Sequence, residues 1–155
     1  IFNIMKIKNL FLSLLLIFIC AGSAFAGNKL ANEGYVGNVA VSVTPQMGFG
    51  VDVTTSHGYS FGNGLWMGGG AGVSFAGAYD GILVPIYTEA KYSFMTDKKA
   101  SPYLDCKFGV ITDAENLFVM FSPTVGVDIN RFSIFTLYNM WSQVRTFNVG
   151  VAFNF

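Results

Sequence analysis

From Phe147 to Phe155 the chain reads Phe-Asn-Val-Gly-Val-Ala-Phe-Asn-Phe, with a large apolar side chain at every odd position and a small or polar one at every even position. Successive side chains on a strand point to opposite faces, so this segment has one apolar face and one suited to a polar, crowded interior. A soluble sandwich would carry charge on its outward face. Here Phe147, Val149, Val151, Phe153 and Phe155 make an outward face with no Lys or Glu. A strand of this kind fits the wall of a transmembrane β-barrel, and it constrains where the chain resides as firmly as how it folds.

The other end agrees. Met5 is followed by Lys6 and Lys8, by an apolar run over 10–19, and by Ala-Gly-Ser-Ala-Phe-Ala ending at Ala26. This three-part pattern predicts a secretory signal peptide over 5–26, cut after Ala26, with 1–4 as upstream translation and 27–34 as a short N-terminal segment. The apolar run is about half the roughly 20 residues that a spanning helix needs. Ile19 is too large for a lipoprotein cut before Cys20. With Lys6 and Lys8 removed, seven basic residues face nine acidic ones, a net charge of −2. No basic patch points to nucleic acid. Cys106 then stands alone, so neither an intramolecular disulfide nor a zinc site is expected. No cofactor and no metal is read from the sequence.

Only 12% of the residues are charged while 16% are aromatic. A chain this apolar would contain long hydrophobic runs if it crossed a membrane as helices; after the signal there are none, and the apolar residues are spaced by twos. Alternation between turn-like residues predicts eight strands, over 35–43, 49–59, 65–75, 82–94, 102–111, 117–129, 132–141 and 145–155. Gly, Asn, Asp and Pro punctuate nearly every break. The expected fold is all-β, an eight-stranded antiparallel up-and-down transmembrane barrel over 35–155.

Parity assigns the faces. Val39, Val41, Val51, Val53, Met67, Leu104, Cys106, Phe108, Val125 and Val127 fall outward, whereas Asp52, Glu89, Lys91, Asp105, Lys107 and Asp128 fall inward and form a lumen charge network. Charge inside and hydrocarbon outside reverses a soluble barrel. Gly68, Gly70 and Gly72 share the inward parity and leave room for Tyr87, Glu89 and Lys91; no phosphate-loop spacing accompanies them. If the fourth and fifth segments meet at a turn near Lys98, Glu89 opposes Lys107 and Lys91 opposes Asp105, two pairs of opposite sign. In 132–141 the parities of Phe132 and Ile134 conflict with those of Phe135 and Leu137, which predicts either a bulge at Ser133 or an apolar stretch of lumen. Trp66 and Trp141, with Tyr35, Tyr59, Tyr92, Tyr138 and Phe155, are expected in the aromatic girdles at the membrane interfaces.

Residues 35–155 resemble the small outer-membrane β-barrels of Gram-negative bacteria, the OmpA/OmpX-like superfamily. The text from Thr55 to Val73, Thr-Ser-His-Gly-Tyr-Ser-Phe-Gly-Asn-Gly-Leu-Trp-Met-Gly-Gly-Gly-Ala-Gly-Val, and Ser-Pro-Tyr-Leu-Asp from Ser101 to Asp105 are similar to small barrels of the Bacteroidetes. The resemblance implies an integral protein of the bacterial outer membrane with both termini in the periplasm. It implies outer-membrane lipid and lipopolysaccharide as surroundings, and an assembly signal at Phe147, Val149, Val151, Phe153 and Phe155 read by the barrel-insertion machinery. The peptidoglycan-binding half that some relatives carry is expected to be absent.

Three functions compete: a structural or surface-interaction barrel without catalysis, a narrow channel or carrier of a small hydrophobic ligand, and a lipid-modifying barrel enzyme. The enzyme needs a base, and His57, the only His, falls on the outer face near the presumed periplasmic rim, away from lipopolysaccharide. A channel needs volume that an eight-stranded barrel filled by Tyr87, Glu89, Lys91, Tyr103, Asp105 and Lys107 lacks; a lateral path would need a break at Pro85 or Pro123. Surface recognition is limited by short connections at 44–48, 76–81, 112–116 and 142–144, where Tyr79, Asp80, Asp113 and Glu115 are the candidates for contact and the partner is unknown. The expectation is therefore a non-enzymatic barrel.

Overall fold

The computed structural model describes residues 32–46, 49–76, 81–113 and 115–155. The expectations for the signal peptide, its cleavage site and most of the N-terminal segment lie outside these residues, as do Tyr79 and Asp80. The strands are β1 (Glu33–Thr44), β2 (Gly50–Phe61), β3 (Leu65–Ala76), β4 (Ile82–Ser93), β5 (Ala100–Thr112), β6 (Leu117–Ile129), β7 (Phe132–Trp141) and β8 (Val144–Asn154). Each pairs antiparallel with the next, and β1 pairs with β8 to close the barrel. Alternation places the strand ends within two residues of these limits, because turn chemistry marks them.

The turns follow from the residues in them. Asn130, at φ 57°, opens the two-residue link from β6 to β7, a conformation Asn tolerates better than most side chains. Gly64, at φ 90°, ends the turn before β3, where a Cβ would sit 2.3 Å from the Ser93 carbonyl oxygen. Gly is required there on both counts.

Alternation sorts the side chains by environment. Val119, Val125, Ile134, Val149 and Val151 are exposed on the outside, while Glu89, Lys91, Asp105, Lys107 and Asp128 are buried inside. The β4–β5 register pairs Glu89 with Lys107 and Lys91 with Asp105. β7 has no bulge: its register with β6 keeps one offset from Ile129 opposite Phe132 to Met120 opposite Trp141, passing over Ser122 and Pro123 without a shift. Phe132 and Ile134 face out, and Ser133, Phe135 and Leu137 face in, which makes this the apolar stretch of lumen.

Trp66 and Trp141 correct an expectation. Both lie near strand ends but on inward parity, and at 2% and 8% exposure they plug the two ends of the barrel instead of joining the girdles. Tyr35, Tyr59, Tyr92 and Tyr138 do face outward and exposed. Trp66 packs on Val36 and donates its indole N–H to the Val36 carbonyl at 3.1 Å. At the end away from the chain termini, Trp141 joins Leu83, Tyr87, Ile111 and Met120, with Phe118 against it.

An interior this narrow takes bulky rings only where a neighbouring strand gives up its side chain. Phe135 lies opposite both Gly126 and Gly150, and a Cβ on Gly150 would come within 2.5 Å of its ring. Tyr103 lies over Gly126, Tyr87 over Gly70 and Gly109, and Trp66 over Gly58 and Gly68. The inward glycines of β3 thus make room for Tyr87 and Trp66.

Candidate functional site: a filled, charged lumen

The lumen charges divide into two groups along the barrel. Nearer the termini, the Lys91 ammonium lies 2.8 Å from Asp128 Oδ1 and 3.8 Å from the centroid of the Tyr103 ring. Asp128 also accepts hydrogen bonds from Ser133 and from Ser93, the latter at 3.3 Å. So although the register sets Lys91 opposite Asp105, its ion pair is made two strands away with Asp128. A long flexible side chain in a narrow tube reaches past its cross-strand neighbour, and register alone does not fix its partner.

In the same group, Glu89 accepts a hydrogen bond from Ser56, which also lies 3.0 Å from the Tyr87 hydroxyl. Lys107 sits 4.9 Å from the centroid of the Tyr87 ring. Asp105 lies within electrostatic reach of Glu89, Lys107 and Lys91, and its Oδ1 is buried without a hydrogen-bond partner. A cavity of about 20 Å³ lies among Glu89, Lys91, Asp105 and Lys107, room for about one water.

Asp52 stands apart. Its cross-strand neighbours are Ser42 on β1 and Ser74 on β3. Both hydroxyls donate to its carboxylate, Ser42 at 3.1 Å, and the Asn148 amide on β8 donates at 2.5 Å. Of the six charges placed inward from sequence, five gather in the first group and Asp52 lies in the second. Inward parity from sequence also places Ser42, Ser56 and Asn148 in the lumen; what it does not supply is their bonds to Asp52 and Glu89, or the parts played by Ser74, Ser93 and Ser133.

His57 lies on the outer face. One ring nitrogen meets the Tyr35 hydroxyl and the other lies 3.0 Å from Thr55 Oγ1. The Tyr35 ring stacks at 6.0 Å and Phe155 meets His57 edge-on at 6.0 Å. Phe155 exchanges two backbone hydrogen bonds with Gly37, of 2.8 and 2.9 Å, so this cluster covers the end of the β1–β8 seam. Both nitrogens are thus taken up by hydroxyls, with no carboxylate hydrogen-bonded to the ring, and the Tyr35 and Phe155 rings pack His57 at the rim.

Neither proline opens the wall. The β3–β4 ladder skips Pro85 and the β6–β7 ladder skips Pro123, each for want of an N–H, yet both registers resume unshifted. A cavity behind them, lined by Pro85, Tyr87, Ser122, Leu137 and Asn139 among others, measures about 30 Å³, far below a ligand.

No protein-family model and no curated protein sequence matches the chain. Several solved structures do. The N-terminal β-barrel domain of Pseudomonas aeruginosa OprF matches at 11% identity and TM-score 0.53, over 80% of this chain and 100% of that one. Neisserial surface protein A, NspA, matches at 18% and 0.55, over 80% and 99%. A de novo designed transmembrane β-barrel matches at 16% and 0.51, over 78% and 94%. At these identities the likeness is one of fold, a closed eight-stranded barrel of the transmembrane kind.

Proposed function

We propose that this chain is a non-enzymatic integral barrel of the bacterial outer membrane, exported through a signal peptide cleaved after Ala26, with a structural or surface-interaction role. The observation that carries the reading is the inverted distribution of side chains: valines and aromatics outside, an ion-paired and ring-filled lumen inside. Such a wall is stable only against hydrocarbon. The likeness in fold to OprF and NspA supports the location. Its surroundings are then outer-membrane lipid and lipopolysaccharide, and its insertion depends on assembly machinery that reads Phe147, Val149, Val151, Phe153 and Phe155. The Bacteroidetes likeness rests only on the Gly-rich text of β2 and β3 and on Ser101 to Asp105 at the entry to β5.

A channel or carrier of a small hydrophobic ligand is the lesser reading. Trp66 at one end, the Leu83–Ile111–Met120–Trp141 cluster at the other, and cavities of about 20 and 30 Å³ argue against it. Catalysis at His57 lacks support, since its two nitrogens are taken up by the Tyr35 and Thr55 hydroxyls on the outer face and no carboxylate orients the ring as a base. Membrane fractionation, with gels run before and after boiling, tests the reading: heat-modifiable migration in the outer-membrane fraction is expected, and a soluble periplasmic protein would overturn it. Purified protein free of porins should carry no stable single-channel current; steady conductance would restore the channel.

A further inference from the structure

Outside the lumen, the cations among the described residues are Lys98, Lys99, Arg131 and Arg145. Three of these four fall in two turns at the end where the chain termini lie, Lys98 and Lys99 between β4 and β5 and Arg131 between β6 and β7. The turns are tied together: the Asn130 N–H donates to the Lys99 carbonyl at 3.2 Å, continuing the register that sets Ala100 opposite Ile129. Asp97 is the one carboxylate within them, so together they carry three cations minus one anion, a formal charge of +2. Glu33, the other surface side-chain carboxylate at this end, lies on β1 against Gly62 of the β2–β3 turn. At the opposite end Arg145 is outnumbered by Asp113 and Glu115. The positive charge of the surface is therefore gathered over one side of one mouth.

The outer wall next to these turns is apolar and has a shape of its own. On β5 the outward positions nearest the turns are Ala100 and Pro102, both exposed and both short. β4 flanks them with Tyr92 and Phe94, whose rings meet edge-on at 5.2 Å, and the Phe94 N–H donates to the Pro102 carbonyl at 2.9 Å. On the other side β6 sets Ile129 opposite Ala100 and Val127 opposite Pro102, with Phe132 beyond. Tyr92, Phe94, Ile129 and Phe132 are all exposed. Short side chains between tall ones make a furrow along β5 that runs up to the two cationic turns. A free anion gains nothing from an apolar furrow, and a neutral lipid gains nothing from the charge. A molecule with an acyl chain and an anionic head gains from both.

We propose that the turns bearing Lys98, Lys99 and Arg131, with the β5 furrow beside them, form a site for one anionic phospholipid of the leaflet at the termini end. Its phosphodiester head meets the three cations and an acyl chain lies over Ala100 and Pro102. Ammoniums act on such a head as point charges, while a guanidinium presents two parallel N–H groups to its oxygens. Salt confines the attraction of exposed charges to about 10 Å, so the preference is set at the turns themselves and not by the barrel as a whole. The site rests on the membrane reading above: it says which lipid the inserted barrel retains.

The test is lipid retention by the purified full-length barrel. The protein is folded into vesicles of equal parts phosphatidylglycerol and phosphatidylcholine, extracted in mild detergent, and its bound lipid is counted by native mass spectrometry. Phosphatidylglycerol should be retained over phosphatidylcholine by about fivefold or more, since each cation at a membrane surface is worth about that factor. The triple variant Lys98→Gln, Lys99→Gln, Arg131→Gln should bring the ratio close to one, whereas Arg145→Gln, at the other end, should leave it unchanged. Ala100→Phe fills the furrow without altering the charge and should also lower the phosphatidylglycerol retained. Equal retention of the two lipids, or a preference that survives the triple variant or Ala100→Phe undiminished, would overturn the site. Inorganic phosphate at the concentration of the lipid should not displace it; displacement would mean an anion site without an acyl seat and would overturn the assignment to lipid. Should the triple variant fail to fold, the single Gln variants at Lys98 and Lys99 decide in its stead, and an unchanged ratio in both refutes the proposal. A barrel that fails to insert into pure phosphatidylcholine vesicles would sink the membrane reading, whereas a heat-modifiable, inserted barrel without lipid preference sinks this site alone.

Discussion

Lys91 and Asp128 offer the sharpest energetic test of the lumen. At 2.8 Å their gross attraction is about 6 kcal/mol for an effective dielectric of about 20. Desolvation offsets much of it, since the two side chains are only 7% and 2% exposed. Asp128→Asn should therefore cost what a stranded buried ammonium costs, about 3 to 5 kcal/mol, toward the lower end because the Tyr103 ring 3.8 Å away and the facing Asp105 still favour the charge. Lys91→Met should cost a similar amount by stranding Asp128, which retains its bonds from Ser93 and Ser133. The double variant leaves neither charge unpaired, so its loss should fall short of the sum by about 2 to 3 kcal/mol. Urea unfolding in lipid vesicles, followed by the fluorescence of buried Trp66 and Trp141, measures all four corners of the cycle. A parallel cycle on Lys91 and Asp105 should couple more weakly. Additivity of Lys91 with Asp128 within about 0.5 kcal/mol, or a stronger coupling to Asp105, would refute the assignment of the ion pair.

Gly150→Val drives a side chain into the Phe135 ring and should destabilise the barrel by about 1 to 3 kcal/mol, with partial recovery on adding Phe135→Leu; no recovery in the same urea assay would show that the ring is not what the glycine accommodates. Val125→Arg puts a charge on the exposed middle of β6 and should cost about 2 to 4 kcal/mol in bilayers, and a neutral effect would mean that this face does not meet hydrocarbon. Deleting Phe155 removes both backbone bonds to Gly37 and should impair assembly more than shortening the 113–116 turn, as read by the fraction of heat-modifiable protein. His57→Ala should leave lipid composition unchanged by mass spectrometry, while weakening the rim contacts with Tyr35 and Phe155 by about 1 kcal/mol or less.

Much of this fold was legible because a strand between lipid and a polar tube repeats every two residues and each break carries its own turn chemistry. The register of β4 with β5 could be read as well, since only one offset sets Glu89 against Lys107 and Lys91 against Asp105. The partner of Lys91 could not: which carboxylate an ammonium reaches depends on the curvature that brings β6 across from β4. Trp66 and Trp141 were misplaced by trusting their height along the strands over their parity, which sends both rings inward. Parity turns Ser42 and Asn148 inward, but their convergence with Ser74 on Asp52 was not legible, for a different reason. Serines are unremarkable on any one strand, and only closure of β8 onto β1, which sets Gly150 opposite Ser42, lets the Asn148 side chain reach Asp52 from the next inward position of β8.

That closure has a kinetic side. β1 pairs with β2 along its whole length but with β8 only from Asn38 to Val43, and above that the Phe147 N–H is met by the Gln46 side chain at 3.2 Å in place of a strand. Every other seam joins neighbours in sequence, whereas this one brings together segments more than a hundred residues apart, so its loop-closure entropy is paid last and returned by the shortest ladder. The barrel should thus open where its two ends meet, with the amides of Val149, Val151 and Phe153 exchanging ahead of those in the β5–β6 hairpin.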